Sequence, residues 1–449
     1  MGRLFGTDGV RGVANRDVTA ELALDLAVAA AHVLGQRGEF SGHRPTAVVG
    51  RDPRASGEFL SAAVCAGLAS AGVDVVDIGV VPTPAVAYLA ANTNTDLGVM
   101  ISASHNPMAD NGIKFFDRTG SKLDDDVEDQ IEARLRGDWE RPVGAGVGRM
   151  TQDYAAVWRY VDHIVSTVPY TLDGLKVVVD SANGAGSEVG PEALRRAGAE
   201  VVVIGSYPDG ENINEGYGAT SPRRMAAATV GHWAHAGVSF DGDADRCIAA
   251  DEEGEIVDGD QIMGILAQAH AERGTLANRT LVTTVMSNLG LKLAMERHGI
   301  RTIETAVGDR YVLEEMRRGG YSVGGEQSGH VLLTDYATTG DGILTALHLL
   351  SRLAESRGTM SELASGIVRL PQSLVNVKDV DKSRASTDEV IFSAVKEAEM
   401  LLGSTGRVLL RPSGTEALVR VMVEAPSQQQ ADDVAHSLAG VVRARLSLV

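Results

Sequence analysis

Three carboxylates two residues apart, Asp241, Asp243 and Asp245, lie between apolar runs in VSFDGDADRCIAAD (238–251). They can converge on one hard cation if Gly242 lets the backbone turn, and Mg2+ is held by a few carboxylates plus a phosphate oxygen. A Ca2+ loop of the EF-hand kind begun at Asp241 would put Glu252 at its twelfth position. It fails at the sixth, where Arg246 replaces the glycine needed for the turn, and its flanks read as strands. Arg246 suits a phosphoryl group, whose oxygens a guanidinium holds bidentately; the competing reading is a local pair that only neutralises the loop.

Three more loops carry compatible chemistry. In SASHNPMADNGIK (102–114), Ser104 and His105 follow an apolar run, Asn106-Pro107 signals a turn, and Lys114 stands ten residues after Ser104. In GGEQSGH (324–330), Glu326 and Ser328 can hydrogen-bond vicinal sugar hydroxyls, and the glycines allow close backbone approach; alone the pattern is also that of an ordinary loop. In RPSGTEALVR (411–420), Arg411, Ser413, Gly414 and Thr415 offer a guanidinium, two hydroxyls and backbone N–H groups, a nest for phosphate to which Arg420 could reach back. A surface hairpin is the alternative there. FGTDGVRG (5–12) adds Arg11 in a glycine-rich setting. A hydrolase built on Ser104 and His105 is disfavoured, because adjacent residues are not expected to face one another and the metal loop would be idle. His232 and His235 in HWAH have no matching carboxylate nearby and are not read as metal ligands.

The elements that must position these groups repeat. TAVVGRDPRASG to SAGVDVVDIG (46–79), KVVVDSANGAGS to RAGAEVVVIG (176–205) and TLVTTVMSNLG to RHGIRTIETAVG (280–308) each read as strand, loop, helix and second strand. Continuous rather than alternating apolar runs mark a sheet covered on both faces. The expected fold is α/β: three related α/β domains in series, over 1–150, 151–252 and 253–367, then a smaller α+β domain over 368–449 ending in an amphipathic helix (428–446). ERPVGAGVGRM (140–150) and DEEGEIVDGD (251–260) supply the first two boundaries. In open α/β sheets ligands bind beyond the carboxyl ends of strands, where each loop falls, so a cleft shared by the four domains is expected.

The chain has 449 residues, 44% hydrophobic and 22% charged, with 51 glycines, as expected of a globular protein with many tight strand-to-helix loops. Its formal net charge of -19 disfavours nucleic acid or an anionic membrane as a partner for the whole surface. An anionic substrate therefore needs a local basic pocket. Cys65 and Cys247 show no paired spacing, so neither a disulfide framework nor a zinc site is written; both read as core residues in a reducing cytoplasm. MGRLFGTDGV has no apolar signal-peptide core, and no run is long enough to span a membrane.

SASHNP, DGDADR, GEQSGH and RPSGTE stand in the order of the phosphoserine, metal, sugar and phosphate loops of the α-D-phosphohexomutase family, which the chain resembles over its whole length. FGTDGVRG, ISASHNP, VGDRYV (307–312) and the glutamine of GEQSGH most resemble its bacterial branch acting on glucosamine phosphates; Ala417 departs from the proline common there, with little effect expected. The resemblance implies a fourth domain of TATA-binding-protein-like fold and interconversion of glucosamine 6-phosphate and glucosamine 1-phosphate, feeding UDP-N-acetylglucosamine and cell-wall precursors. It implies phosphoserine at Ser104, one Mg2+ per subunit on Ser104, Asp241, Asp243 and Asp245, and a hexose 1,6-bisphosphate primer. Glu326, Ser328 and Arg310 would bind the sugar phosphate, with Arg411, Ser413, Gly414, Thr415 and Arg420 on the phosphate that does not react. Lys114, His105 and His330 are the candidates for moving protons, Lys114 favoured by the family, and Arg11 and Arg246 would stabilise transferred charge. The partner implied is a small sugar phosphate, not nucleic acid or membrane; a homodimer is compatible. A glucose or mannose phosphate mutase would use the same residues, and a silent sugar-phosphate sensor would have no need of a phosphoryl carrier.

Overall fold

The computed structural model describes residues 3–6, 8–40, 42–412 and 418–448. Two compact units are present: Met1–Met286 with Gly299–Ser365, and Ser287–His298 with Gly366–Val449.

The first unit holds three sheets. In spatial order the first is Val10–Val13, Asp110–Asp117, Leu97–Ile101, Thr46–Arg51, Asp74–Val80 and Met150–Gln152. The second is Ile256–Val257, Cys247–Ala250, Ala236–Phe240, Lys176–Asp180 and Glu200–Ile204; the third is Arg301–Thr305, Thr280–Thr284, Val323–Gly325 and Val331–Leu333. All three follow one plan. Parallel strands joined through helices lead to a strand whose next neighbour in sequence returns antiparallel: Leu97–Ile101 to Asp110–Asp117, Ala236–Phe240 to Cys247–Ala250, and Val323–Gly325 to Val331–Leu333. That return loop carries Ser104 in the first sheet, the three aspartates in the second, and Glu326 to His330 in the third. Strand Met150–Gln152 pairs with Asp74–Val80, so the first sheet runs past residue 150.

Burial explains why these strands form. Every residue of Leu97–Ile101 and of Ala236–Phe240 is buried, as continuous apolar runs require when both faces of a sheet are covered. Helix Ala20–Gln36, capped by Thr19, lies against helix Ala55–Ser70 so closely that a Cβ on Gly67 would stand 2.7 Å from the Leu24 carbonyl oxygen. No helix among the described residues is long and apolar enough to cross a membrane.

In the second unit, Gln372–Lys378, Leu418–Glu424 and Arg407–Pro412 form an antiparallel sheet in that order. Val377, Val419, Val421 and Val423 share a core with Leu438 and Val442 of helix Gln428–Leu446. Segment Ser287–His298, which the sequence sets inside the third domain, packs with this unit for polar reasons. The fully buried Glu424 accepts from the Leu289 N–H at 2.9 Å while paired to Arg407, and the Asn288 amide exchanges hydrogen bonds with Leu370 at 2.9 and 3.1 Å.

Helix Gly342–Ser356 in the first unit starts on a buried carboxyl: Asp341 accepts from the Leu344 N–H at 2.9 Å and from the Tyr160 hydroxyl. Burial raises its pKa to about 7. A carboxyl raised on folding binds its proton more tightly in the native state, so its contribution is present below the unfolded value and lost as pH climbs towards 7. Asp341→Asn keeps the cap and should remove a slope of up to about 1.4 kcal/mol per pH unit between roughly pH 4 and 7. Urea unfolding across that range checks it; an unchanged slope would show that Asp341 is not the titrating group.

Candidate active site

Ser104 occupies a left-handed backbone conformation, φ +51°, unfavourable for a side chain without local support. The support is a buried guanidinium. Arg54, fully buried, donates to the carbonyl oxygens of Ser104 (3.0 Å), Asn106 (2.9 Å) and Pro107 (2.5 Å), and its Nε pairs with Asp52 at 2.9 Å. Asp52 in turn accepts from the Ser102 hydroxyl (2.6 Å), which accepts from the Ser104 N–H (2.9 Å). Asn214 of the second-sheet region donates to the same Ser104 and Asn106 carbonyls. The loop is thus gripped through its backbone, leaving the serine side chain free to face the aspartates.

Ser104 Oγ donates to Asp241 Oδ2 at 2.6 Å. Asp241, Asp243 and Asp245 are buried, and a ligand oxygen from each lies within 4.8 Å of the others. Burial, then repulsion from Asp245 and Asp243, pushes the Asp241 carboxyl well above the usual range. Asp243 Oδ1 and Asp245 Oδ1 are buried without a hydrogen-bond partner among the described residues. Orphaned acceptors and mutual repulsion at one point fit a hard divalent cation, which oxygen ligands hold. The three aspartates lie in a hairpin, as their flanks suggested, but Gly242 is needed for a different reason. Its φ is ordinary; a Cβ there would stand 2.5 Å from the Ser104 carbonyl oxygen, while the left-handed turn falls on Ala244, φ +57°.

Cations surround the cluster. Lys114 pairs with Asp243 at 3.0 Å, with Asp8 at 3.2 Å and with Asp245 at 3.9 Å; burial would lower its pKa, but these carboxylates hold it raised. His330 Nδ1 lies 3.7 Å from Asp245, and although burial disfavours its charged form, Asp245 and Asp309 raise it to about 9. Arg246 stays loose, its Nε 4.0 Å from Asp241 and 3.9 Å from Asp245 and without a hydrogen bond among the described residues. Its geometry does not make it a closed local pair. Arg11 pairs with Asp8, and its buried Nε likewise lacks a described partner.

His105 requires a correction. Its Nδ1 stands 3.3 Å from Ser104 Oγ, so the neighbouring side chains do meet, because the left-handed turn at Ser104 brings both to one side. Burial, then Arg246 and Arg11, lowers its pKa to about 4, leaving it neutral near pH 7.

Glu326 is half-buried and accepts from the Gly308 N–H at 2.9 Å, while Ser328 is exposed. Arg310 pairs with Asp125 at 2.5 Å and with Glu314 at 3.2 Å. In the second unit Arg411 and Arg420 are directly opposite across the antiparallel pair, so both side chains belong to one face of the sheet. Ser413, Gly414 and Thr415 lie outside the described residues. His235 accepts from the Lys176 N–H, and no metal cluster among the described residues includes it. Residues that sequence reasoning missed include Arg54, Asp52, Asn214, Asp8, Lys122 and Asp309. Asp8 and Asp309 sit inside the motifs FGTDGVRG and VGDRYV, whereas Lys122 and Arg54 carry no local signal.

Four family models match the chain in series: phosphoglucomutase/phosphomannomutase alpha/beta/alpha domain I over residues 2–141, domain II over 158–254, domain III over 258–370, and the C-terminal domain over 374–441. The chain belongs to the phosphoglucomutase/phosphomannomutase family. Similar members include the phosphoglucosamine mutase of Streptomyces avermitilis, 61% identical over 99% of this chain and 100% of that one, and that of Acidothermus cellulolyticus, 62% identical over 99% and 96%. A phosphoglucomutase/phosphomannomutase family protein of Burkholderia thailandensis has a similar crystal structure, with a TM-score of 0.81 and 25% identity over 99% of both chains. The N-acetylphosphoglucosamine mutase of Aspergillus fumigatus, solved with GlcNAc-6P and magnesium, shares the fold at 18% identity and a TM-score of 0.67, over 98% of this chain and 95% of that one.

The repulsion at Asp241 has a consequence of opposite sign for stability and for metal binding. Asp241→Asn should raise the Tm of the metal-free family member by about 2 °C by removing one of three clashing carboxylates, yet weaken Mg2+ binding by at least about tenfold. Calorimetry and thermal melts in a chelator check both; a lowered metal-free Tm would show that the cluster is not under electrostatic strain.

Proposed function

We propose that the chain is an intramolecular phosphotransferase that interconverts glucosamine 6-phosphate and glucosamine 1-phosphate, with Ser104 as the phosphoryl carrier. The observation that carries this is the Ser104 hydroxyl 2.6 Å from Asp241, at the point where three buried carboxylates meet and Lys114 stands by. Full-length similarity to phosphoglucosamine mutases at about 61% identity supports the amino sugar over the glucose and mannose alternatives. A silent sensor is disfavoured by the same similarity and by a serine, three aspartates and a lysine assembled for transfer.

Asp241, Asp243 and Asp245 would hold Mg2+ together with an oxygen of the Ser104 phosphate. When bound, the ion supplies neutralisation of the charge that spreads over the transferring phosphoryl oxygens. The O1 hydroxyl of the 6-phosphate attacks phosphorus in line with Ser104 Oγ; the bond from O1 to phosphorus forms, the bond from Oγ breaks, and the O1 proton passes to a side chain. The 1,6-bisphosphate then turns within the site, O6 becomes the leaving oxygen, and the phosphoryl group on it returns to Ser104. Lys114, His105 and His330 would share the proton movements: His105 Nδ1 stands 3.3 Å from Oγ, while Lys114 and His330 lie against Asp243 and Asp245 of the metal loop. Arg246, loosely held, and Arg11, whose Nε is uncommitted among the described residues, would take phosphoryl oxygens. Glu326 and Ser328 would hold sugar hydroxyls, and Arg411 and Arg420 the idle phosphate. The first phosphate on Ser104 would come from a hexose 1,6-bisphosphate. A cytoplasmic location is part of the same reading.

With Mg2+ and that primer, kcat/KM for glucosamine 6-phosphate should exceed that for glucose 6-phosphate and mannose 6-phosphate by at least about tenfold, as expected when a buried polar contact is made only with the right substrate. Preference for a neutral hexose would overturn the substrate assignment while leaving the chemistry. Ser104→Ala should abolish turnover yet retain sugar-phosphate binding; turnover surviving in that variant would remove the serine from the mechanism.

A further inference from the structure

Six charged groups close a ring beside Ser104. Lys122 Nζ lies 2.8 Å from Asp8 Oδ1 and 2.6 Å from Asp309 Oδ2. The same Asp8 oxygen is 3.2 Å from Lys114 Nζ, and the same Asp309 oxygen is 3.5 Å from His330 Nε2. Asp245 Oδ2 completes the circuit, 3.9 Å from Lys114 and 3.7 Å from His330 Nδ1. Carboxylates and nitrogen-bearing side chains alternate all the way round. Lys122 is the cation of the ring that touches none of the three metal-loop aspartates.

We propose that Lys122 is a positioning residue, which holds Lys114 through Asp8 and His330 through Asp309 at the fixed placement that both phosphoryl transfers require. Each carboxylate shares one oxygen between Lys122 and a group that moves protons, so the place of the Lys122 ammonium decides where that oxygen points. Without it, Asp8 and Asp309 repel across the vacated position and turn onto Lys114 and His330. The His330 ring has little freedom to compensate elsewhere, because it packs against Gly340 where a Cβ would collide with Nε2. Its buried Nε2 has no hydrogen-bond partner among the described residues, so the ion pair with Asp309 is what aims it.

The backbone around Lys122 is anchored for such a task. Lys122 bridges to Phe116 of strand Asp110–Asp117, Ser121 accepts from Arg317 at 2.5 Å, and the Gly120 carbonyl accepts from Thr338 at 2.7 Å. Arg317 lies in helix Asp309–Gly319, whose first residue is Asp309 itself. Lys122 therefore sits on a turn tied to the elements on both sides of the ring, and its side chain is mostly buried, where an ion pair is not screened away as at an open surface.

The activity readout rests on the mutase reading, so a second readout is independent of it. In Lys122→Gln, kcat should fall by about tenfold or more with KM within about twofold, as expected when reacting groups are misplaced rather than substrate binding lost. Lys122→Arg should recover most of the kcat. In 15N-histidine spectra of the unphosphorylated protein, the His330 imidazole signal, assigned by its loss in His330→Gln, should move in Lys122→Gln and return in Lys122→Arg; Asp309→Asn, which leaves Asp8 paired, should move it too. A raised KM with unchanged kcat, an arginine variant no better than the glutamine one, or a His330 signal that stays in place overturns the proposal. Wild-type protein inactive on every sugar phosphate would sink the mutase reading instead, and the His330 signal alone would then decide the role of Lys122.

Discussion

Three carboxylates buried at one point, with a serine hydroxyl hydrogen-bonded to one of them, are the constraint from which the rest of the first unit follows. Removing that much like charge from water costs several kcal/mol per ion unless opposite charge is supplied nearby. The fold supplies it with Lys114 at 3.0 Å and with His330 and Arg246 further out, and Asp8 and Asp309, both paired to Lys122, contact Lys114 and His330 in turn. One place is left without an internal solution. Asp241 remains pushed well above its ordinary range, and two carboxylate oxygens remain unpartnered among the described residues. That residue of unmet electrostatics is what a divalent cation would satisfy.

The backbone solves the placement problem once and uses the solution three times. A buried strand runs to the edge of its sheet's parallel part, a short loop turns, and an antiparallel strand returns. Such a loop is fixed at both ends by strand hydrogen bonds, so its side chains are held while its composition is free to vary. The first sheet places a serine there, the second three aspartates, the third a carboxylate and an imidazole. At the serine loop the geometry is demanding enough to need a left-handed residue, and the buried Arg54 meets that demand by taking three carbonyl oxygens. Function is concentrated where the sheet plan ends.

The strand, helix and strand repeats, the change of architecture after residue 368 and the loops that carry Ser104, the three aspartates and Glu326 were legible because each is a local pattern: apolar periodicity, or polar residues at fixed spacing. Lys122 and Arg54 were not, since each becomes meaningful only when distant segments meet, Lys122 with residues 8 and 309, Arg54 with the carbonyls of 104–107. The contact between Ser104 and His105 escaped a spacing rule that assumes ordinary backbone angles, and a positive φ at a non-glycine residue is invisible in sequence. Gly242 shows the converse. Its presence was readable, but its cause, the close approach of the Ser104 carbonyl, belongs to tertiary structure. Arg310, placed with the substrate groups by resemblance, also pairs with Asp125, a partner 185 residues away that no local pattern could show.

The most direct test of the account is a single turnover on the phosphorylated enzyme. Protein primed with a hexose 1,6-bisphosphate and freed of excess primer is mixed with one equivalent of glucosamine 6-phosphate, and the phosphate on the Ser104 peptide is followed by quenched-flow mass spectrometry. Loss of phosphate from Ser104 at least as fast as kcat, matched by the appearance of glucosamine 1,6-bisphosphate, is the predicted result. Phosphate that persists on Ser104 while product accumulates, or that resides on another residue, would contradict it.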